Sequence, residues 1–473
     1  MCGIAGIALS SPPEPHRAAH ALYYALYALQ HRGQESAGIV VAHNGESRVR
    51  KGMGMVPTAV SPESLKELDG AVGIGHVRYS TTGSSRIENC QPFVIAFARG
   101  TLAVAHNGNL VNYADLRTEL EKGGAVFTST TDTEVIAHLL ARELAAHGDL
   151  VEALREVMRR LQGAYSLVIL YNGQLVAVRD PLGIRPLCLG EVEGGHVIAS
   201  ESAAVDTLGG RFLRDVKPGE VLHFHDGAMD SVRIYRAGST AHCVFEYIYL
   251  ARPDSILDGR LVYDARLRIG ELLAEEHGVR ADIVSPVPDS GITQALGYSR
   301  KSGLAYRETL IKNRYIGRTF IMPEPSLRDL SVRLKLNAVG PNLKDRRVVL
   351  VDDSIVRGTT SRRIVDTLRS KGAREVHFRV GSPPLVAPCY LGVDMKSREE
   401  LIAAKKDVEE TRKALNADTL GYLSLQALSE AVGLRSDQLC TGCLTGEYPV
   451  EVPGEKCMRR QMKLTQFDDG KSG

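Results

Sequence analysis

Several short stretches carry residues that could act together in chemistry. The chain opens MCGIAGI, with a thiol at position 2. Removal of Met1 would leave Cys2 with its own α-amino group, a nucleophile with a base attached. Such an amine titrates near pH 8, so a neutral fraction is available at cellular pH. Taken alone, Cys2 reads first as a buried strand residue, since free cysteine is among the most buried types. AHNGNL offers the Asn107 amide and the Gly108 backbone N–H, a pair that can receive an oxyanion or form a type I′ hairpin turn. HVRYSTTG carries Arg78 at the end of a strand-like run, a bidentate partner for a carboxylate. Asp132, in STTDTE, can receive an ammonium or only cap a helix. Arg32, in HRGQES, follows a helical run. Thiol, oxyanion donors, carboxylate clamp and ammonium acceptor describe a site for an α-amino acid with an attackable side-chain carbonyl, and glutamine fits.

A second constellation is VVLVDDSIVRGTTSRRIV, residues 348–365. A buried strand delivers Asp352 and Asp353 to its carboxyl end, where open α/β sheets bind ligands. Gly358 permits a close backbone turn. Thr359, Thr360 and Ser361 supply hydroxyls and N–H groups, and the helix starting there favours an anion. Arg357 adds positive charge. A ligand with ribose hydroxyls and a phosphate would satisfy this arrangement; the plain alternative is a βα turn with a capping threonine. KNRYIGRTFI (312–321) gathers Lys312, Arg314 and Arg318, either a cationic cover for a pyrophosphate or a basic surface loop.

Eight cysteines stand at 2, 90, 188, 243, 389, 440, 443 and 457. CTGC (440–443) is a C-x-x-C pair that alone could be redox-active, half a zinc site or chance. With Cys243 and Cys389 it makes four thiolates, which suit zinc or an iron–sulfur cluster. Spacing does not choose between them.

The elements that must position these groups fall into two rhythms. The chain has 473 residues, too many for one core. In the first half, short apolar runs alternate with Asn-Gly and Gly-rich turns, as in antiparallel sheets. Two helical patterns, 16–33 and 131–148, interleave with them, which implies an α+β layered domain through about residue 235. From 281 the order becomes strand, loop, helix, and 346–380 reads as a βαβ unit of a parallel sheet. The charged stretch 396–417 reads as a solvated helix. Net charge is only +2, with no basic stripe, which argues against nucleic acid as a partner. No run approaches the roughly 18 apolar residues of a membrane span, and no secretory signal is visible. The expected location is the cytoplasm, where disulfides are disfavoured.

MCGIAGI, HRGQESAG, HVRYSTTG, AHNGNL and STTDTE resemble the N-terminal-nucleophile (Ntn) glutaminase domain of class II amidotransferases. VDDSIVRGTTS resembles the phosphoribosyl pyrophosphate (PRPP) motif of type I phosphoribosyltransferases. From residue 2 to about 455 the chain is similar to the amidophosphoribosyltransferase family (glutamine PRPP amidotransferases), in its iron–sulfur-containing branch. The PRPP motif sets it apart from glucosamine-6-phosphate synthase, asparagine synthetase and glutamate synthase.

The resemblance implies an α+β Ntn hydrolase domain with αββα layers over 2–235. An α/β type I phosphoribosyltransferase domain with a mainly parallel sheet follows over 236–455, then a tail over 456–473. It implies that Cys2, Asn107 and Gly108 are catalytic, and that Arg32, Arg78 and Asp132 contact glutamine. Lys312, Arg314, Asp352, Asp353, Arg357, Gly358, Thr359, Thr360 and Ser361 would contact PRPP. Ser290, in PVPDSG, would join Asp352 and Asp353 at Mg²⁺. Cys243, Cys389, Cys440 and Cys443 match the ligands of a structural 4Fe–4S cluster. The implied reaction is glutamine hydrolysis supplying ammonia, through an internal channel, that displaces pyrophosphate from PRPP to give 5-phosphoribosylamine, the first step of de novo purine (IMP) synthesis. AMP and GMP are expected inhibitors, and a homotetramer or homodimer is the expected assembly. Cluster-bearing relatives carry a propeptide before the catalytic cysteine, whereas only Met1 precedes Cys2 in this sequence. Two other classes are a nucleotide-sensing regulator that lost its chemistry and a cluster-based redox sensor; the glutamine constellation argues against the first, and pyrophosphate release would exclude the second.

Overall fold

The computed structural model describes residues 2–10, 16–43, 46–79, 84–313, 336–395 and 397–457. Two antiparallel sheets occupy the first half. One has seven strands in the order Arg211–Asp215, Cys188–Val192, Gly195–Ala199, Gly3–Leu9, Val72–Arg78, Ser36–His43, Glu46–Met53. The other has six: Ala228–Arg233, Glu220–His225, Gln174–Arg179, Gly163–Tyr171, Gly100–Leu110, Phe93–Phe97.

Strand composition explains the layering. In Gly3–Leu9, Ala5, Ile7 and Leu9 pack beneath helix Arg17–Ala28, while Ile4 faces the second sheet. In Gly163–Tyr171, Leu167 and Ile169 pack under the helices on the far side, and Val168 and Leu170 face the first sheet. Both faces are covered, so these strands read as continuous apolar runs without polar alternation. Helices Asp132–His147 and Leu150–Arg160 complete the outer layer on the six-stranded side. The αββα layering matches the expectation.

The second half centres on a five-stranded sheet in the order Ala305–Tyr306, Ile283–Pro286, Arg347–Asp352, Glu375–Val380, Thr419–Tyr422, every pair parallel. Along Arg347–Asp352, Val348 and Leu350 enter one apolar cluster, Val349 and Val351 another. The second cluster also takes in Ala164, Leu182 and Ile184 from the first half, so the two halves share a core.

The stretch 396–417 departs from the expected single helix. Among the described residues, only Val408–Leu415 is α-helical, started by an Asp407/Glu410 capping box. Arg398–Glu400 and Ile402–Ala404 are 3₁₀ turns instead. Leu401 is fully buried and the Ile402 N–H donates to the Val356 carbonyl at 2.9 Å, so packing against the 353–358 loop overrides local helix preference.

Candidate functional site

Cys2 precedes the central strand of the seven-stranded sheet and is buried. Gly3 follows because a Cβ there would sit 2.9 Å from Val77 and 3.0 Å from Leu29. The Cys2 N–H donates to Asn107 Oδ1 at 3.3 Å, and its thiol points to the Tyr79 carbonyl at 3.7 Å. AHNGNL is no turn: it lies inside strand Gly100–Leu110, with Asn107 opposite Ser166 and Gly108 opposite Tyr165. Asn107 Nδ2 is fully buried and has no hydrogen-bond partner among the described residues, a costly state for a donor. Gly108 adopts φ +154°, and a Cβ there would collide with the Ala164 carbonyl oxygen.

Arg32, expected to contact glutamine, is buried and bonded within the protein. Its guanidinium lies buried beneath the nucleophile. Nε donates to the Cys2 carbonyl at 2.9 Å, NH1 to Glu201 at 2.5 Å and NH2 to Glu246 at 2.7 Å. Burial opposes the Arg32 charge, but the two carboxylates overcome it and hold the pKa above its usual value. Glu201 and Glu246 escaped sequence reasoning because both stand far along the chain, in SES and FEY, where nothing marks them as partners of Arg32.

Arg78 is buried, paired with Glu35, and donates to the Ser84 carbonyl at 3.2 Å. Asn89 Nδ2 joins Ser84 O (2.7 Å) to Thr130 Oγ1 (3.1 Å), tying Arg78 to the loop before Asp132. Asp132 opens helix Asp132–His147, accepts from the Leu110 N–H at 3.0 Å, and faces His106 at 3.6 Å. Burial disfavours both charges of that pair, yet their mutual attraction holds the Asp132 carboxyl low and the His106 imidazole high. His76, buried beside Arg78 and His106, is pushed down to about 3 by desolvation.

The second constellation forms at the carboxyl end of the parallel sheet. Asp352 and Asp353 are buried at the end of Arg347–Asp352. Asp353 accepts from Ser290 Oγ at 2.5 Å and Ser354 Oγ at 2.6 Å. Burial and the neighbouring acid push the Asp352 carboxyl well above its usual range, and burial raises Asp353 as well. Gly358, at φ +75°, caps helix Thr359–Ser370. Thr359 and Thr360 are exposed, whereas Ser361 is buried. Arg357 is paired with Glu400 at 2.8 Å, and Lys312 with Asp289. Arg314 and Arg318 lie outside the described residues.

A family model described as a glutamine amidotransferase domain matches residues 76–207. The amidophosphoribosyltransferase of Archaeoglobus fulgidus is 55% identical over 97% of this chain and all of its own length. The chain belongs to the amidophosphoribosyltransferase family. The Methanothermobacter thermautotrophicus enzyme of that name is 52% identical over 96% of this chain and 95% of its own. Among solved structures, the glutamine PRPP amidotransferase from B. subtilis complexed with ADP and GMP is 44% identical. It superposes with a TM-score of 0.89, covering 95% of this chain and 98% of that one. The chain is therefore a glutamine-dependent pentosyltransferase of purine biosynthesis.

The amidophosphoribosyltransferase fold also collects the four expected cysteines. Cys243 and Cys440 are direct partners in a two-residue parallel ladder. The Cys443 carbonyl accepts from the Val386 and Ala387 N–H groups, both at about 3 Å, just before Cys389. Arg185 NH1 reaches Cys243 Sγ at 3.7 Å, and the Val393 N–H donates to Cys389 Sγ at 3.4 Å. Burial pushes the Cys243 thiol up to about 11 and raises Cys440 and Cys443 too, each further raised by charge on the neighbouring thiols. Among the described residues, no group of three or more His, Cys, Asp or Glu is arranged to hold a metal ion.

Proposed function

We propose that this amidophosphoribosyltransferase works through two coupled half-reactions, a glutaminase at residues 2–235 and a phosphoribosyl transfer at 236–455, with 456–473 a tail. The Cys2 thiol attacks the side-chain carbonyl carbon of glutamine, and its proton passes to the Cys2 amine freed by loss of Met1. The carbonyl electron pair moves onto oxygen, where Asn107 Nδ2 and the Gly108 N–H receive it. Collapse breaks the C–N bond, the amine returns the proton to the leaving nitrogen, and ammonia departs from a γ-glutamyl thioester. Water then releases glutamate and restores the thiol. Arg78 would exchange Glu35 for the substrate α-carboxylate, and Asp132 would receive the α-ammonium. Arg32 fixes the nucleophile through its backbone carbonyl rather than touching substrate.

Ammonia passes through an internal channel to C1 of PRPP. The bond from C1 to the pyrophosphate oxygen breaks, and 5-phosphoribosylamine and pyrophosphate form. The loop Arg357–Ser361 would cradle the 5′-phosphate at the helix N-terminus, Asp352 and Asp353 would bind the ribose hydroxyls, and Lys312 and Arg314 would cover the pyrophosphate. Asp352, Asp353 and Ser290 supply hard oxygen donors that fit Mg²⁺, which when bound would offset the pyrophosphate charge. Cys243, Cys389, Cys440 and Cys443 would hold a 4Fe–4S cluster, which would cross-link distant chain segments. AMP and GMP are the proposed inhibitors, favoured by the ADP and GMP bound to the B. subtilis relative. A cytoplasmic homotetramer or homodimer completes the reading; no helix among the described residues is long and apolar enough to cross a membrane.

The observation that carries the glutaminase is the buried, unpartnered Asn107 Nδ2 on the same amide that accepts the Cys2 N–H. Anaerobically purified protein, assayed for glutamate and pyrophosphate with and without PRPP and Mg²⁺, tests the whole scheme. One glutamate per pyrophosphate, rising together on PRPP addition, is the expected result. Absence of pyrophosphate under every condition would refute the transferase half.

A further inference from the structure

Gly108 must hold its N–H at a fixed place for an oxyanion, yet it has no side chain to anchor it and sits at positive φ. Its support comes from the second half of the chain. A Cβ on Gly392 would lie 3.1 Å from both the carbonyl carbon and the oxygen of Gly108, so Gly392 is packed against the Gly108–Asn109 peptide, one Cα from the peptide that carries the Gly108 N–H. Next along the strand, Asn109 Nδ2 donates to the Tyr390 carbonyl at 2.8 Å. Between these two contacts, the Leu391 carbonyl accepts from Arg185 Nε at 3.0 Å and NH2 at 2.5 Å. The Arg185 carbonyl in turn accepts from Ser166 Oγ at 3.1 Å, and Ser166 is the strand partner of Asn107. Three consecutive residues, Tyr390, Leu391 and Gly392, thus brace the strand that carries both oxyanion donors.

The brace has its own anchors. The Cys389 N–H donates to the Met395 carbonyl at 2.9 Å, and the Val393 N–H to Cys389 Sγ, closing the loop around the thiol. Tyr390 OH donates to Glu455 at 3.0 Å, and its ring meets Tyr448 edge-on at 5.2 Å. Gly392 adopts φ +108°, where a side chain is strained, and it is also where a Cβ would press on Gly108.

We infer that Gly392, with the Asn109–Tyr390 hydrogen bond, is a positioning element that sets the oxyanion hole from the phosphoribosyltransferase side. This rests on the glutaminase reading above. A displaced donor raises the barrier of the chemical step more than it weakens glutamine binding.

The test uses the full-length protein with Gly392→Ala and, because that variant strains a turn, Asn109→Ala as an independent second. Four quantities are measured: kcat and KM for glutamine hydrolysis, the rate of Cys2 alkylation by iodoacetamide, and pyrophosphate release driven by added ammonium chloride in place of glutamine. Gly392→Ala is expected to lower glutaminase kcat by about tenfold or more and Asn109→Ala by about fivefold, part of the effect of removing a donor outright. KM, alkylation rate and ammonia-driven turnover should stay within about twofold, since binding, thiol and transferase are untouched. Unchanged kcat in Asn109→Ala, or ammonia-driven turnover falling in step with glutaminase, would overturn the inference. A wild-type protein that releases no glutamate at all would refute the glutaminase reading itself, and the positioning role with it.

Discussion

Asn107 turns its side-chain oxygen to the Cys2 nitrogen at 3.3 Å and keeps its Nδ2 buried without a partner. One amide therefore accepts from the Cys2 N–H and, in the proposed mechanism, holds a donor ready for charge that appears only during reaction. Asn107→Ala should lower kcat for glutamate release by roughly 10²–10³, the range for loss of one oxyanion donor. KM should move little. A KM effect that exceeds the kcat effect would place Asn107 in ground-state binding instead.

The His106–Asp132 pair makes a pH prediction for stability. The folded Asp132 carboxyl is held low, so its contribution is present above the ordinary carboxylate pKa and is lost only as pH falls through the depressed folded value. The folded His106 is held high, so its contribution is full below the ordinary histidine value and is lost as pH rises through the raised one. Asp132→Asn removes both. The gap in thermal midpoint between wild type and Asp132→Asn should thus be largest between the ordinary carboxylate and histidine values and shrink as pH rises through the raised His106 value, where the buried carboxylate loses its countercharge. A gap that grows with pH would sink this account.

Asp352 opposes folding where it serves binding. Its raised folded pKa means that stability falls as pH climbs through the ordinary carboxylate range toward that raised value, leaving a net cost at neutral pH. Asp352→Asn should raise the ligand-free melting temperature at pH 7.5 by a few degrees while lowering pyrophosphate release by at least about a hundredfold. PRPP with Mg²⁺ should stabilise the wild type and leave the variant's melting temperature nearly unchanged. A destabilised variant would mean the acid pair is structural.

Anaerobic protein should contain about four iron and four inorganic sulfide per chain, as a four-cysteine cluster requires. Cys440→Ser should lose the iron and the sulfide together. About one zinc per chain with no sulfide would favour the other metal that four thiolates accept.

Much of this molecule is written locally. Cys2, Asn107 and Arg78 lie in short stretches that suggest a glutamine site only when taken together, and the Asp352–Ser361 turn is one contiguous run at the end of a parallel strand, as expected. What was hidden is tertiary. Asn-Gly has a strong turn preference, yet Asn107–Gly108 sits mid-strand because Ser166 and Tyr165 pair across from it. Arg32 reads as a substrate clamp until Glu201 and Glu246, about 170 and 214 residues away, surround it. Residues 398–404 have helical composition, but the burial of Leu401 against the phosphate loop takes that segment out of the helix.

The Cys243–Cys440 ladder has a consequence for how the protein is made. The four converging thiols come from positions 243, 389, 440 and 443, so the first emerges from the ribosome 200 residues before the last. At ordinary synthesis rates that interval is roughly 10–40 s. Until it ends, the 389–395 brace lacks one wall and Gly108 lacks its support. On the positioning role inferred for Gly392, the proposed oxyanion hole, although built from the first quarter of the chain, would reach its working shape only after the 389–395 loop has been translated. A glutaminase half made before that loop would release ammonia more slowly than the finished protein.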